Sequence, residues 1–235
     1  MIVLLEPGGA AGRPVGLLDG EPHHLRVRRA REGEPVELRD GAGLVGRGRL
    51  VAGAGEWTVQ IESVEHRPPP AELVLAVGAG DRDRFEILLE KAVELGATRV
   101  VPVLAERPAG VATRLRAPQM DRLRRRALEA VKQSGNPWAC AVEDPVALDA
   151  FLAHPAPGHR WLADPAGVPP AAALGDEPVT VLVGPEGGLT GNEREAAAAA
   201  GYQPVSLGPH VLRFETAAIA AAAAVQAARL RGRHA

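Results

Sequence analysis

Strand-sized apolar runs alternate with helix-sized segments over residues 71–235, and this alternation limits the possible folds more than any other feature. Parallel strands need a long crossover between them, usually a helix, so this order is typical of a parallel sheet. The sequence therefore predicts an α/β fold for this region. The strand-like runs are ELVLAV, RVVPVL, RWLAD, VTVLV and PVSL, and two clear helix-like segments are RFEILLEKAVEL and PQMDRLRRRALEAVKQ.

The segment EHRPPPAE precedes this region, and its three prolines at 68–70 favour a stiff, extended spacer between two domains. Before this spacer, short apolar stretches such as LVGRGRLV and WTVQIESV alternate with turn signals, among them an Asp-Gly dipeptide. We interpret residues 1–70 as a small β-barrel and residues 71–235 as a separate α/β domain.

The run VTVLV leads directly into a glycine-rich loop, GPEGG, and the next residues, Thr190 to Glu193, have the pattern of a helix capping box. A strand this apolar is expected in the centre of the sheet, so the loop should lie at the carboxyl edge, where open α/β sheets bind ligands. The loop matches neither the dinucleotide fingerprint nor a Walker loop. The carboxylate of Glu186 would repel phosphate and suits a cation, or a ligand that presents an amine or hydroxyl groups. The alternative is a tight strand–helix turn with a solvated Glu186.

The segment PVSLGPHVLRFETAAIAAAAAVQAARL repeats this order of strand, short loop and helix, with an alanine-rich helix predicted from about residue 215 to 230. Glu215 near the start of that helix would offset the helix dipole, whereas Arg213 in its first turn would oppose the dipole. Local conflicts of this kind are typical of functional sites. Arg213 is therefore a candidate functional residue.

LVGPEGGLT followed by VSLGPHVLRFETA resembles the ribosomal RNA small subunit methyltransferase E family, the 16S ribosomal RNA uridine-N3 methyltransferases of the SPOUT superfamily. Members carry a Gly-Pro-Glu-Gly-Gly loop and a Leu-Gly-x-x-Ile-Leu-Arg-x-Glu-Thr-Ala segment. The stretches HHLRVRRAREGEPVELRDG, EKAVELGATRVVPVLAER and ALEAVKQSGNPW extend the similarity along nearly the whole chain. The chain departs from the family at Ala79, where lysine is common, at Asn136, where arginine is usual, and at its opening MIVLLEP, which lacks the usual arginine and aromatic residues.

The resemblance implies a C-terminal SPOUT trefoil-knot domain with a parallel sheet, a PUA-like β-barrel in front of it, and a homodimer. It also implies S-adenosyl-L-methionine as the methyl donor, held by backbone groups and by leucines that pack on its adenine ring. Carried over by motif, the cofactor-binding residues are Leu182, Val183, Gly184, Pro185, Glu186, Gly187, Gly188, Ser206, Leu207, Gly208, Val211, Leu212 and Arg213.

The activity that the resemblance implies is methylation of N3 of a uridine in 16S ribosomal RNA of the small ribosomal subunit. The N3 proton must leave, so the site needs a proton acceptor and a group that stabilises negative charge on the uracil oxygens. Arg213 is the candidate for charge stabilisation. Glu215 is the candidate base or the residue that orients the arginine, and helix capping is its alternative role. This chemistry needs no metal.

RNA binding is expected from local basic clusters, because the net charge of −2 provides no global attraction to nucleic acid. On a strand, Arg26 and Arg28 would share one face, while Arg29 and Arg31 would share the other. A second cluster, Arg122, Arg124, Arg125 and Arg126, lies on the predicted helix PQMDRLRRRALEAVKQ. A solvated charged surface is the alternative interpretation of each cluster, and a GC-biased coding sequence is an alternative source of the many arginines. With the resemblance, the residues predicted to contact RNA are Arg26, Arg28, Arg29, Arg31, Arg124 and Gln133.

Several classes of protein are excluded. Cys140 is the only cysteine, which leaves no disulfide framework or multi-cysteine metal site, and we expect it in the core. The opening MIVLLEPGGA lacks a basic signal-peptide region and no apolar run is long enough to span a bilayer, so a cytoplasmic location is expected.

Two other functions fit the same sequence features: a SPOUT ribose 2′-O methyltransferase, and a non-catalytic RNA-binding or assembly factor.

Overall fold

The N-terminal strands and the later α/β elements belong to different units of the computed structural model, which describes residues 1–6, 14–53, 56–107, 115 and 117–233. The first unit comprises Met1–Pro70 and Leu128–Ala139, and the second comprises Ala71–Ala127 and Cys140–Ala235. None of the described helices is long and apolar enough to cross a membrane.

The elements of the first unit are β1 (Ile2–Leu4), β2 (Pro14–Gly16), α1 (Glu21–Val27), β3 (Pro35–Arg39), β4 (Leu44–Ala52) and β5 (Trp57–His66). The strands form one five-stranded sheet in the order β1-β3-β4-β5-β2. β1 pairs with β3 in parallel, and the other pairs are antiparallel. An antiparallel bridge between Leu5 and Leu17 links the residues that follow the two outer strands, β1 and β2.

The arginine-rich segment that we expected in a strand is a helix. α1 has a proline in its first turn and buries Leu25, and the fixed φ of proline suits the start of a helix. Arg26 lies in this helix, Arg28 follows it, and Arg29 has a left-handed φ of 56°. The predicted sharing of one strand face by Arg26 and Arg28 is therefore wrong.

The segment Leu128–Ala139 completes the first unit through polar contacts. Lys132 Nζ lies 2.5 Å from the Oε1 atom of Glu21, a buried residue, and Trp138 Nε1 donates to the carbonyl of Pro68 at 3.0 Å. An antiparallel bridge between Ala42 and Trp138 adds backbone pairing, so the segment belongs to this unit through both side-chain and backbone contacts.

The second unit contains β6 (Leu73–Gly78), α2 (Arg82–Glu94), β7 (Arg99–Leu104), α3 (Ala117–Ser134, which ends in the first unit), β8 (Ala141–Val142), β9 (Val146–Ala147), α4 (Leu148–Leu152), β10 (His159–Val168), β11 (Val179–Val183), α5 (Gly191–Ala199), β12 (Gln203–Val205) and α6 (Phe214–Gly232). Its seven-stranded sheet has the order β12-β10-β11-β6-β7-β8, and β9 also pairs with β7. Every one of these pairs is parallel. The predicted α/β fold with a parallel sheet is confirmed.

The centre of this sheet explains the apolar runs in the sequence. Every residue of β6 and β11 is buried, as expected for strands covered on both faces. The helices end where glycine takes a left-handed backbone conformation, at Gly96 after α2 and at Gly201 after α5. Cys140 is buried as predicted, and burial raises the pKa of its thiol to about 12.

Arg229 of α6 holds the amino ends of two central strands together. Its side chain donates to the carbonyl of Ala71 at 3.1 Å, to that of Glu72 at 2.7 Å and to that of Glu177 at 3.0 Å. The residue is 2% exposed, and burial lowers the pKa of the guanidinium. A buried cation is tolerated here because main-chain carbonyl dipoles replace its hydration.

Candidate functional site

A cleft of about 440 Å³ opens where the carboxyl ends of β11 and β12 and the later part of β10 approach one another. This is the edge at which open α/β sheets bind ligands, and the volume is typical of small-molecule sites. The cleft is lined by Leu162, Ala163, Asp164, Pro165, Val183, Gly184, Pro185, Glu186, Gly188, Leu189, Arg194, Val205, Leu207, Gly208, His210, Val211, Leu212, Arg213, Phe214 and Ala217.

The glycine-rich loop after β11 is seated against the end of β6. A Cβ atom on Gly78 would lie 2.3 Å from the backbone nitrogen of Pro185, so this close approach requires glycine. Glu186 Oε1 accepts a hydrogen bond from the backbone N–H of Asp81 at 3.0 Å. The carboxylate that we expected to meet a ligand or solvent therefore anchors the loop to the start of α2.

Gly188 gives the loop its turn towards α5. Its φ of 68° lies in the left-handed region, and its N–H donates to the carbonyl of Pro185 at 2.8 Å. A Cβ atom on Gly188 would have no other atom within 4 Å, so it would extend into open space. Backbone conformation, rather than packing, therefore accounts for glycine at this position.

Most of the predicted cofactor residues line this cleft. The exceptions are Leu182, which is fully buried in the sheet core, Gly187, and Ser206, whose hydroxyl donates to the Gly208 carbonyl at 3.2 Å. The two loops that the sequence motifs single out therefore meet around one cavity, although α5 and β12 lie between them in the chain.

The predicted capping box at the start of α5 is confirmed. The hydroxyl of Thr190 accepts from the N–H of Glu193 at 3.3 Å, and Glu193 Oε2 accepts from the N–H of Thr190 at 2.7 Å. Glu193 Oε1 also accepts from the N–H of Glu106 at 2.7 Å. Burial opposes ionisation of Glu193, but these N–H groups outweigh burial and lower its pKa. The carboxylate thus holds the segment after β7 against the start of α5.

Arg213 is the N-cap residue of α6, with φ −65° and ψ 154°, and does not belong to the first helical turn as we expected. It still occupies a position where Ser, Thr, Asp or Asn is preferred, and its side chain makes no capping bond. Arg213 lines the cleft and is exposed, and its guanidinium has no hydrogen-bond or ion-pair partner within the described ranges. Its donors are therefore available to a ligand.

Glu215 is nearly buried but does not line the cleft. Its side chain is 12% exposed, and its Oε1 atom lies 4.0 Å from Nε of Arg84 on α2. Its Oε2 atom is buried and has no hydrogen-bond partner in the described part of the chain. The structure therefore does not bring the Glu215 carboxylate into the cavity beside Arg213.

The sequence motifs did not predict that residues of β10 line the cleft. This strand carries Asp164, whose carboxylate forms an ion pair with Arg194 of α5. The strand-like run RWLAD ends in this acidic residue, which is the signal that was available. The place of Asp164 in the site follows only from the sheet order, because β10 lies next to β11 and so next to the glycine-rich loop.

The residues predicted to bind RNA are distributed over both units. In the first unit Arg26, Arg28, Arg29, Arg31 and Gln133 are all exposed, and Arg28 lies 3.6 Å from Glu34. In the second unit Arg124 donates to the Val142 carbonyl at 3.1 Å and to Asp144 at 2.8 Å, so its guanidinium is already engaged. Within the described ranges, no group of three or more His, Cys, Asp or Glu side chains is arranged to hold a metal ion.

Comparison with known proteins gives matches along most of the chain. Residues 67–226 match the RNA methyltransferase domain family. The ribosomal RNA small subunit methyltransferase E of Synechocystis sp. is 33% identical over 226 residues, which cover 91% of this chain and 73% of that protein. The structure of a ribosomal RNA small subunit methyltransferase E from Neisseria gonorrhoeae bound to S-adenosyl methionine has a TM-score of 0.82, with 31% identity and 95% of both chains covered. That of a methyltransferase from Legionella pneumophila in complex with the same cofactor has a TM-score of 0.87, with 27% identity and 97% of both chains covered.

Proposed function

The chain belongs to the ribosomal RNA small subunit methyltransferase E family of RNA methyltransferases, and from this membership we propose that it methylates 16S ribosomal RNA with S-adenosyl-L-methionine as the methyl donor. We further propose that the acceptor atom is N3 of a uridine. The observation that carries the proposal is the cleft into which the GPEGG loop and the LGPHVLR loop both open, at the carboxyl edge of the parallel sheet.

The residues around the cleft fit this cofactor. Apolar side chains, including Val183, Leu207 and Leu212, offer surfaces for an adenine ring, and the absence of a side chain at Gly188 leaves the loop backbone accessible there. Arg213 and His210 add polar groups at the exposed rim. When bound, S-adenosylmethionine supplies an electrophilic methyl group on a positively charged sulfur atom.

Arg213 is the residue that we assign to charge stabilisation during methyl transfer. Loss of the N3 proton leaves negative charge on the uracil oxygens, and a guanidinium at the rim of the cleft can donate hydrogen bonds to them. We assign Glu215 neither the role of the base nor that of orienting Arg213, because its carboxylate lies towards Arg84 and outside the cavity lining. Its role in this proposal is to offset the helix dipole in the first turn of α6.

We propose that residues 71–235 form a SPOUT domain with a trefoil knot and that residues 1–70 form a PUA-like RNA-binding barrel. Support for the barrel comes from the bridge between Leu5 and Leu17 and from the hydrogen bond of the Leu18 N–H to the Leu4 carbonyl at 3.0 Å, which join the two outer strands. We also propose a homodimer in the cytoplasm, for which light scattering at micromolar concentration should give twice the mass of one chain.

Contacts with RNA phosphates are proposed for Arg26, Arg28, Arg29 and Arg31, whose exposed side chains lie on and just after α1. Gln133 is exposed and is proposed to assist them. Arg124 is proposed as a weaker contributor, because it would first have to leave its partners Val142 and Asp144.

The decisive test is to delete the gene and map modified nucleotides in 16S ribosomal RNA. We expect one N3-methyluridine to disappear and to return when the wild-type chain is expressed. Methylation of a ribose 2′-oxygen instead would identify a different reaction in the same fold. Calorimetric titration with S-adenosylmethionine separates both enzymes from an assembly factor, which would show no binding.

A further inference from the structure

Asp164 and Arg194 form an ion pair in the lining of the cleft, outside the two loops that the sequence motifs select. Asp164 belongs to β10 and Arg194 to α5, and their side chains are 11% and 48% exposed. Asp164 Oδ1 also accepts a hydrogen bond from the backbone N–H of Ala166 at 2.9 Å. Two partners on two sides therefore hold the carboxylate in one orientation at the cavity surface.

The carboxylate keeps unused acceptor capacity on both of its oxygens. An ionised carboxylate has about four acceptor positions, two on each oxygen. The Ala166 N–H uses one position on Oδ1 and Arg194 uses one on Oδ2. One acceptor position therefore remains on each oxygen of the same carboxylate. This arrangement matches two hydroxyl groups on neighbouring carbon atoms.

The charge of the pair favours a neutral donor over a cation. Arg194 already compensates the negative charge of Asp164. An ammonium group brought to the same carboxylate would also approach the Arg194 guanidinium, and like charges at this range repel. A diol donates two hydrogen bonds without adding charge, and it does not require the ion pair to break.

We infer that Asp164 binds the vicinal ribose hydroxyls of the methyl donor and that Arg194 orients the carboxylate for that contact. The inference rests on the proposed function, since it assigns one part of the same cofactor to one wall of the same cleft. Acidic side chains bind ribose hydroxyls at the strand ends of dinucleotide-binding folds for the same physical reason. Asp164 is a binding residue in this scheme and takes no part in methyl transfer.

Calorimetric titration of the full chain with three probes tests the inference. S-Adenosylhomocysteine carries both the diol and the amino-acid tail, 5′-methylthioadenosine keeps the diol but lacks the tail, and its 2′-deoxy analogue lacks one hydroxyl. Asp164→Asn should weaken the first two probes by the same factor, about tenfold or more for the loss of a charged acceptor. The 2′-deoxy analogue keeps only one of the two hydroxyls, so Asp164→Asn should weaken its binding by a smaller factor. Asp176→Asn is the matched control, because Asp176 is also paired with an arginine but does not line the cleft.

Three outcomes would overturn the inference. Unchanged affinities in Asp164→Asn would remove the residue from the site, and a loss confined to S-adenosylhomocysteine would show that Asp164 contacts the amino-acid tail. Arg194→Ala breaks the same ion pair but keeps the carboxylate, so it should lose less affinity for 5′-methylthioadenosine than Asp164→Asn does. Equal losses of affinity would assign the weakened binding to the broken ion pair instead of to the lost carboxylate acceptor.

If wild type binds neither S-adenosylmethionine nor S-adenosylhomocysteine, the proposed function itself fails, which is a separate result.

Discussion

Glu186 and Asp81 join the glycine-rich loop to the start of α2 through a hydrogen bond of 3.0 Å from the Asp81 backbone N–H to the Glu186 carboxylate. A Cβ atom on Gly80 would lie 2.5 Å from Glu186 Oε2, so the carboxylate fills space that only glycine leaves open. Glu186 therefore helps to fix the position of the loop that lines the cleft.

Glu186→Ala should weaken S-adenosylmethionine binding by about 5- to 10-fold, the effect expected when one hydrogen bond that orders the loop is lost. Glu186→Gln keeps an acceptor oxygen and should lose less. Isothermal titration measures both. Glu195→Ala, an exposed glutamate on α5, is the control, and equal losses in all three variants would disprove the anchoring role.

Gly188→Val should abolish cofactor binding while the fold survives. The position has a φ of 68°, where an L-residue costs roughly 1–2 kcal/mol and a β-branched one more, and the new side chain would extend into the open space of the cleft. Thermal unfolding should show a modest drop and titration should show no binding. Gly191→Val is the control, because Gly191 has a similarly open Cβ position but does not line the cleft. Undiminished affinity in Gly188→Val would exclude this loop from the site.

Arg213→Ala should lower kcat by about 10²–10³-fold, the range for the loss of one preorganised donor. The melting temperature should change little, because the guanidinium has no partner in the described part of the chain. Cofactor affinity should also change little, because we assign the guanidinium to the uracil oxygens and not to the cofactor. Lysine at this position should restore only part of the rate, since it lacks the planar fork. Single-turnover methylation of small-subunit RNA or particles measures the effect, with the exposed Arg82→Ala as control. Near-normal turnover would leave Arg213 without a catalytic role.

Glu193 should make the stability of the second unit depend on pH. Its folded-state pKa lies below the ordinary value of 4.5, so its stabilising contribution is present above that pH and is lost as the pH falls through the folded-state value. Wild type should therefore exceed Glu193→Gln in free energy of unfolding at pH 7, and the difference should shrink below about pH 4.5. Urea titrations at several pH values measure this, with Glu195→Gln on the same helix as control. A difference that does not vary with pH would contradict the assignment.

Arg229→Met should destabilise the fold, because three carbonyls at the amino ends of β6 and β11 lose a charged donor. We expect a loss of roughly 1–3 kcal/mol, the cost of leaving a buried polar group unsatisfied. Arg231→Met is the matched control. Arg231 is exposed and donates to the carbonyl of Ala172 alone among the described groups, so its loss should cost less. Denaturant unfolding of both variants measures the difference, and equal stabilities would refute the structural role of Arg229.

Features that depend on near neighbours in the chain were predictable from the sequence. The capping box of Thr190 and Glu193 uses hydrogen bonds over three residues, and Gly96 and Gly201 end their helices by adopting a positive φ. The segment around Arg26 shows the limit of such reasoning, because a short run without clear periodicity forms a helix where a strand was expected.

The sequence by itself determined the parallel α/β architecture and the two loops that line the cleft, because hydrophobic periodicity and turn chemistry act over a few residues. Only the tertiary structure decided that Asp164 also lines the cleft, that Glu186 is hydrogen-bonded to Asp81, and that Glu215 lies towards Arg84. Each of these depends on which strands are neighbours and where side chains distant in sequence meet. Those relationships follow from packing of the whole sheet and its helices, which local patterns do not encode.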